Sequence, residues 1–248
     1  AEGVVVSTVA AEPGMTVQIG DELLLVRPET VTGQSSVEAL VRKSGWEARI
    51  RGVHERRRQA KLQGGEKNVA KHHTKGKQTI RERIAALLDD SSRFDEIGRI
   101  AGSSSESEEN EINFSPGNFV LGTGQVGGRI VVAAGEDFTM SGGSPNLAGL
   151  RKSVYTETLA LELQCPLVRL HEGSGGSVGG GRKKGGGNAG APVYERARFE
   201  TIADCLATVP VCTVASGSVA GLPASRFVAS HFSVMVRSAA LLTAGPQI

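Results

Sequence analysis

The chain has 248 residues, 39% of them hydrophobic, and a formal charge of +2; this suffices for one sizeable core. No apolar run approaches the ~18 residues of a membrane span and no cationic-then-apolar leader opens it, so a membrane span is excluded and a reducing, aqueous compartment is expected, the cytoplasm or the mitochondrial matrix. The three cysteines, Cys165, Cys205 and Cys212, form no C-x-x-C pair and read as buried reduced thiols, which argues against a disulfide framework or a metal centre.

The first 28 residues, "AEGVVVSTVAAEPGMTVQIGDELLLVRP", hold three short β-rich runs, "GVVVSTVA", "MTVQI" and "ELLLVRP". Pro13-Gly14 and Gly20-Asp21 punctuate them with the turn chemistry expected between tight strands. From Arg42 to Arg83 fourteen basic residues face four acidic ones, a local charge of +10, so the remainder of the chain is net acidic. Two readings stand for that stretch, a solvated or partner-docking arm and a nucleic-acid arm; a single Trp and no aromatic interleaving argue against the second. "SVEALVRKSGWEARIRGVHERRRQAKLQGG" is expected to be helical on both sides of Gly45, with Val37, Leu40 and Val41, then Trp46, Ile50 and Val53, spaced three or four apart. In "TIRERIAALL" Thr79 is expected to cap a helix, Glu82 to complete its capping box, and Ile84, Leu87 and Leu88 to share a face. His54, His72 and His73 lie in the arm without metal-like company.

Beyond Phe94 the pattern is α/β. A hairpin through Gly127-Gly128 leads to a glycine turn at Gly142-Gly143, then to a helix over "RKSVYTETLALELQ" with Val154, Leu159, Leu161 and Leu163 buried, and a strand over "CPLVRL". After "HEGSGGSVGGGRKKGGG" come a helix "VYERARFETIADCLAT", a strand "VPVCTVAS", a loop "GSVAGLPASR" and strands "FVAS" and "HFSVMV"; His231 reads as core or edge. His171 and Glu172, beside the glycines, read as structural, and Arg182, Lys183 and Lys184 as an exposed tip.

The glycines, 33 in all, are nearly twice the usual share of about 7%. A linker, a phosphate cradle and an oxyanion hole are all glycine-rich. The spacing of a Walker loop is absent, a dinucleotide fingerprint lacks its acidic strand end, and a plain linker would not lie between a buried strand and an amphipathic helix. An oxyanion loop fits best: backbone N–H groups after a parallel strand can meet a negative oxygen that develops in a reaction, and glycine lets them converge.

Residues 1–28 resemble the C-terminal half of a biotinyl or lipoyl carrier domain, with "PG", "GD" and "LL" at that family's spacing. "LQGGEKNVAKHHTKGKQTIRERIAALLDDSSRFDEIG" resembles the opening of the carboxyltransferase domain of biotin-dependent acyl-CoA carboxylases. The resemblance implies an α/β, crotonase-like spiral of ββα units preceded by a partial all-β biotinyl barrel and a basic helical connector, with boundaries at 1–28, 29–83 and 84–248. It implies transfer of CO2 from carboxybiotin to the enolate of an acyl-CoA; a biotin-dependent acyl-CoA decarboxylase and a non-enzymatic scaffold or polyanion-binding fragment are the alternatives.

Residue by residue, the family's Ser-Gly-Gly places the oxyanion hole at Gly175 and Gly176 after Ser174. "FTMSGGS" places Gly142 and Gly143 on the CoA side, and "VPVCTVASGSVAG" puts Gly217, Ser218, Val219, Ala220 and Gly221 along the acyl and pantetheine path. No metal ligand and no catalytic acid or base is expected. Biotin is expected on a lysine outside this chain, since Lys43 lacks the acceptor context, and ATP and Mg only at an upstream biotin carboxylase domain. The implied partners are the biotinyl carrier, a second carboxyltransferase C-domain and further copies of the chain, with no nucleic acid and no membrane. Ala1 and "LLTAGPQI" read as cuts in a longer protein, so the piece alone is expected to be catalytically incomplete.

Overall fold

The computed structural model describes residues 2–9, 15, 24–30, 46–106, 112–174 and 198–243, which fall into two compact units, Ala1–Arg51 and Gly52–Ile248. In the first, β1 (Glu2–Val9) pairs antiparallel with β2 (Leu24–Thr30) in a register from Glu2↔Thr30 to Val9↔Leu24, with a bulge between Val6 and Thr8. The expected strand "MTVQI", apart from an exposed Met15, and the expected helix before Gly45 lie outside the described residues.

The second unit opens with three helices, α1 (Glu47–Lys61, whose first turns belong to the first unit), α2 (Glu66–His73) and α3 (Ile80–Leu87). The start of α3 is fixed by the capping box: the Thr79 hydroxyl accepts from the Glu82 N–H, and the Glu82 carboxylate accepts from the Thr79 N–H at 2.7 Å. Strands β3 (Asp95–Glu96), β4 (Gly102–Glu106) and β5 (Ile112–Pro116) follow, β4 and β5 forming a separate antiparallel pair. The main hairpin is β6 (Phe119–Val126) and β7 (Arg129–Glu136), turning at Gly127 and Gly128, whose φ values of +58° and +73° favour glycine.

The remaining elements are α4 (Leu147–Leu163), β8 (Leu167–Ser174), α5 (Arg198–Thr208), β9 (Val211–Ala220), α6 (Leu222–Val228), β10 (Phe232–Met235) and β11 (Ala240–Leu242). The sheet order is β10-β9-β8-β7-β6-β3, with β11 also pairing β9. From β7 to β10 neighbours are parallel, so the crossovers α4, α5 and α6 return the chain each time and the carboxyl ends of β7, β8 and β9 share one edge.

Alternation along the hairpin sends its side chains to two faces. Leu121, Val132 and Ala134 meet Leu159, Ala160 and Cys205 from α4 and α5, while Val120, Val131 and Ala133 meet Ile80, Ile84 and Leu88 of the α3 region. Each fully buried Leu or Ile contributes about 1.5–3 kcal/mol of transfer free energy. Three expectations fail. "GLPASR" and "FVAS" are not loop and strand: Leu222–Val228 is a helix with Pro in its first turn, packed through Ala224 and Phe227 on Ala215 and Val219. Gly217–Ala220 is not a loop but the end of β9. Leu163 is 49% exposed, because it is the last residue of α4, before Gln164 ends the helix in a left-handed conformation.

Candidate active site

The turn after β7 is tied down before anything else at this edge can be placed. The Asp137 carboxylate accepts from the Thr139 N–H at 3.0 Å and hydroxyl at 2.5 Å, and Thr139 Oγ1 accepts from the Gly64 N–H at 2.9 Å. Burial pushes the Asp137 carboxyl above its ordinary pKa, against these hydrogen bonds. The Asn118 amide donates to the Ser144 carbonyl at 2.5 Å and accepts from the Asn146 N–H at 3.0 Å; Asn146 in turn caps α4 through the Gly149 N–H at 2.8 Å. Between these anchors Ser141, Gly142 and Gly143 take φ of +53°, +61° and +73°. Gly143 lies against the backbone of Glu172 and Gly173 of β8, where a Cβ would be 2.7 Å from Gly173 Cα.

β8 carries charge into this interior. Glu172 is fully buried and accepts from Lys77 Nζ at 2.5 Å and from the Arg83 guanidinium, with His72 Nε2 at 3.6 Å. Burial holds the His72 imidazole below its usual pKa, with Glu172 opposing and Arg83 reinforcing the shift. Its neighbour His171, also fully buried, turns Nδ1 to Glu136 at 3.2 Å, while the Glu172 N–H donates to Glu136 at 3.3 Å. Burial would raise the Glu136 pKa, but His171 and Arg169 hold it below the usual carboxylate value. A third buried group joins the helices to β8: Glu157 of α4 pairs with Arg169 and with Arg226 of α6, the latter at 2.7 Å.

The sites expected from the sequence are thereby sorted. Ser174 is the last residue of β8 and stands in register with Ala220 of β9. Gly143, Ser174 and Pro145 line a small crevice with Leu222, Pro223 and Arg226. Gly217 packs on the Glu172 carboxylate, and a Cβ there would also come within 2.7 Å of Lys77 Nζ. Ser218 is exposed, Gly221 has φ +70° where the chain enters α6, and the Val219 side chain is fully buried in the core. Gly142 lies apart, on a cleft with α2. Gly175, Gly176 and the tip residues Arg182, Lys183 and Lys184 lie outside the described residues.

Lys77 and Arg83, which sequence reasoning left in a solvated arm, are the partners of Glu172. The available signal was Arg169, His171 and Glu172 inside an otherwise apolar strand, since buried charges require partners. His231 is an exposed edge residue whose Nδ1 accepts from the Val211 N–H at 3.0 Å. The three cysteines are unpaired, Cys165 and Cys205 buried and Cys212 half-buried. Among the described residues no group of three or more His, Cys, Asp or Glu could hold a metal, and no helix is long and apolar enough to cross a membrane.

A mixed α/β sheet with glycine-built turns gathered at the carboxyl ends of its parallel strands is the architecture of a crotonase-like carboxyltransferase. The family described as the carboxyl transferase domain matches residues 71–248, and the chain belongs to that family. It is 31% identical over 206 residues to the methylmalonyl-CoA carboxyltransferase 12S subunit of Propionibacterium freudenreichii subsp. shermanii, covering 83% of this chain and 38% of that protein. It is 36% identical over 131 residues to the methylmalonyl-CoA decarboxylase subunit alpha of Veillonella parvula, covering 52% of this chain and 26% of that one. A single-chain, multi-domain long-chain acyl-CoA carboxylase has a similar structure, with TM-score 0.63 and 26% identity over 98% of this chain and 23% of its own. The chain thus spans between about a quarter and two fifths of the length of these relatives.

Proposed function

We propose that this chain is the acyl-CoA-binding half of a biotin-dependent carboxyltransferase, which joins CO2 from carboxybiotin to the enolate of an acyl-CoA. The observation that carries the reading is the meeting, at one sheet edge, of Gly143, Ser174 and the end of β9 in a member of the carboxyl transferase domain family. The N–H groups of Gly175 and Gly176, directly after Ser174, stabilise the thioester oxygen as negative charge builds on it. Fixed donors are effective there because they need no reorganisation during the reaction. Glu172, held by Lys77 and Arg83 and packed on Gly217, stiffens the end of β8 at Ser174. Gly142 and Gly143 lie on the CoA side, and Gly217, Ser218, Val219, Ala220 and Gly221 border the acyl and pantetheine path.

Bound carboxybiotin supplies the CO2 and, through its ureido nitrogen, the base, so no side chain of this chain is assigned as acid or base. Biotin is carried on a lysine outside the chain, charged at an upstream ATP- and Mg-dependent domain, and a second carboxyltransferase domain from another copy completes the site. The likeness of 98% of the chain to a single-chain carboxylase supports reading the β1–β2 hairpin as part of a biotinyl carrier, residues 29–83 as the connector and the start of the carboxyltransferase domain, and 84–248 as its crotonase-like part.

The test is acyl-CoA-dependent carboxylation by the full-length protein that contains this chain, with its biotinyl carrier, wild type against Gly175→Val. Loss of an oxyanion donor is expected to lower kcat roughly 10²–10³-fold, and unchanged turnover would sink the assignment. The identity to a decarboxylase subunit favours a second reading, in which the same donors meet the enolate left when CO2 departs. Release of CO2 from methylmalonyl-CoA without ATP, in the absence of ATP-dependent carboxylation, would select it.

A further inference from the structure

A concavity of about 310 Å³ lies beside α3, and its lining shares no residue with the crevice at Ser174. Part of its wall is apolar, built from Ile84, Ala85 and Leu88 of the α3 region with Phe94 and with Val120 of β6. Ile84, Leu88 and Val120 are buried members of the core, so this wall is already fixed, whereas Ala85 is exposed.

The rest of the lining is polar and short of negative charge. Arg81 and Arg99 supply guanidinium groups, and the exposed Ser91 and Ser92 supply hydroxyls. Glu96 is the one carboxylate in the lining, and it is already engaged: Arg81 donates to both of its oxygens at 2.7 and 2.8 Å, and Arg99 to one at 2.7 Å. The buried Lys152 acts on the same carboxylate, so three cations share one anion. The Asp90 carboxylate, just before Ser91, is turned to the Ser92 N–H and hydroxyl and is not part of the lining. Arg81 Nε is buried without a hydrogen-bond partner among the described residues. Buried donors are rarely left unmet, because they have given up water and gained nothing in return.

Sites for small molecules run to about 300–1,000 Å³ and combine apolar walls with a few convergent polar groups. This pocket has that composition. A neutral hydrocarbon would leave its excess positive charge unmet, and a bare inorganic anion would leave its apolar wall wet. A carboxylate on an alkyl chain answers both, and the planar fork of a guanidinium matches carboxylate geometry.

We infer that this pocket binds a medium-chain carboxylate, with the alkyl chain along Ile84, Ala85, Leu88 and Val120 and the carboxylate oxygens accepting from Arg81 and Arg99. The inference goes beyond the acyl-CoA reading and does not depend on it, since the pocket is separate from the crevice at Ser174 and a free carboxylate carries no thioester.

The experiment is calorimetric titration of the full-length protein that contains this chain with octanoate, with octan-1-ol, which has the chain without the charge, and with acetate, which has the charge without the chain. Each methylene removed from water is worth about fourfold in Kd, so octanoate should bind more than about tenfold tighter than acetate; the charge should set it about fivefold or more above octan-1-ol. Ala85→Phe places a ring over the apolar wall from an exposed helical position. It should weaken octanoate about tenfold or more and retain the wild-type Tm. Arg99→Gln leaves Glu96 paired with Arg81, and should weaken octanoate about fivefold without changing octan-1-ol; Arg99→Lys should restore most of the loss. The site is refuted if wild type does not bind octanoate, if octan-1-ol or acetate binds as tightly, or if either folded variant, Ala85→Phe or Arg99→Gln, binds octanoate as wild type does. Should Ala85→Phe fail to fold, the Arg99→Gln comparison decides.

Discussion

Lys152→Met should stabilise the protein at neutral pH, and the gain should shrink in alkali. Lys152, on α4, is 7% exposed, and its Cδ and Cε lie 3.6 Å from where a Cβ on Gly98 would stand. The carboxylate near it, Glu96, is already taken by Arg81 at 2.7 and 2.8 Å and by Arg99 at 2.7 Å, so the lysine is a third cation around one anion. Burial holds its ammonium down at about 8 from the ordinary 10.5; Glu96 opposes that shift, while Arg81 and Arg99 add to it.

With a folded pKa below the unfolded one, the native state binds fewer protons between these two values. The penalty is complete below about pH 8 and is relieved as the pH rises toward 10.5. At 1.36 kcal/mol per unit, the cost at pH 7 is about 3 kcal/mol and at pH 10 about 1 kcal/mol. Methionine has a similar length, no charge and the flexibility to fill the site. Urea unfolding of both proteins at pH 7 and pH 10 reads the difference, and groups common to both cancel. A gain that does not change with pH, or a loss at pH 7, would refute the reasoning.

Glu157→Gln removes the shared anion of Arg169 and Arg226, both 2% exposed, and should cost about 3–5 kcal/mol; a urea midpoint corresponding to less than 1 kcal/mol would contradict it. Gly217→Val drives a side chain into Glu172 and Lys77, and should lower stability by about 1–3 kcal/mol while weakening propionyl-CoA binding. Unchanged Tm and Kd would show that this packing is dispensable. Thr79→Ala deletes the hydroxyl of the capping box and should cost about 1 kcal/mol, measured by thermal unfolding; Thr79→Ser should restore most of it.

Where the determinants are local, the sequence was sufficient. The capping box of Thr79 and Glu82 reads directly from four residues and is formed as expected. The hairpin at Gly127-Gly128 follows from two glycines between β-rich runs. α6 was missed because seven residues leave little room for periodicity; its true signal was Pro223 just after Gly221, and the packing of Ala224 and Phe227 on β9 made the helix worthwhile. The overestimate at Leu163 has a similar origin, since periodicity marks a helical face but not where the neighbouring layer ends.

The candidate site divides along the same line. That a buried strand precedes Ser174, and that the turn at Gly142-Gly143 follows a hairpin, is legible from pattern; that the strand runs four residues past Leu170 to Ser174, and that the two meet through Gly143 and Gly173, is not. By itself the sequence determined the order of elements as far as β8, the caps and turns at Thr79 and Gly127-Gly128, and the motifs by which the family is known. The tertiary structure decided which charges of the basic arm face water and which are buried. Lys77 and Arg83 are 95 and 89 residues from Glu172, a carboxylate with no exposed surface. A charge removed from water must be paired by whatever the fold brings to it. For Glu172 that partner is the arm, while Lys71 and Lys75, in the same arm, are exposed and make no ion pair among the described residues.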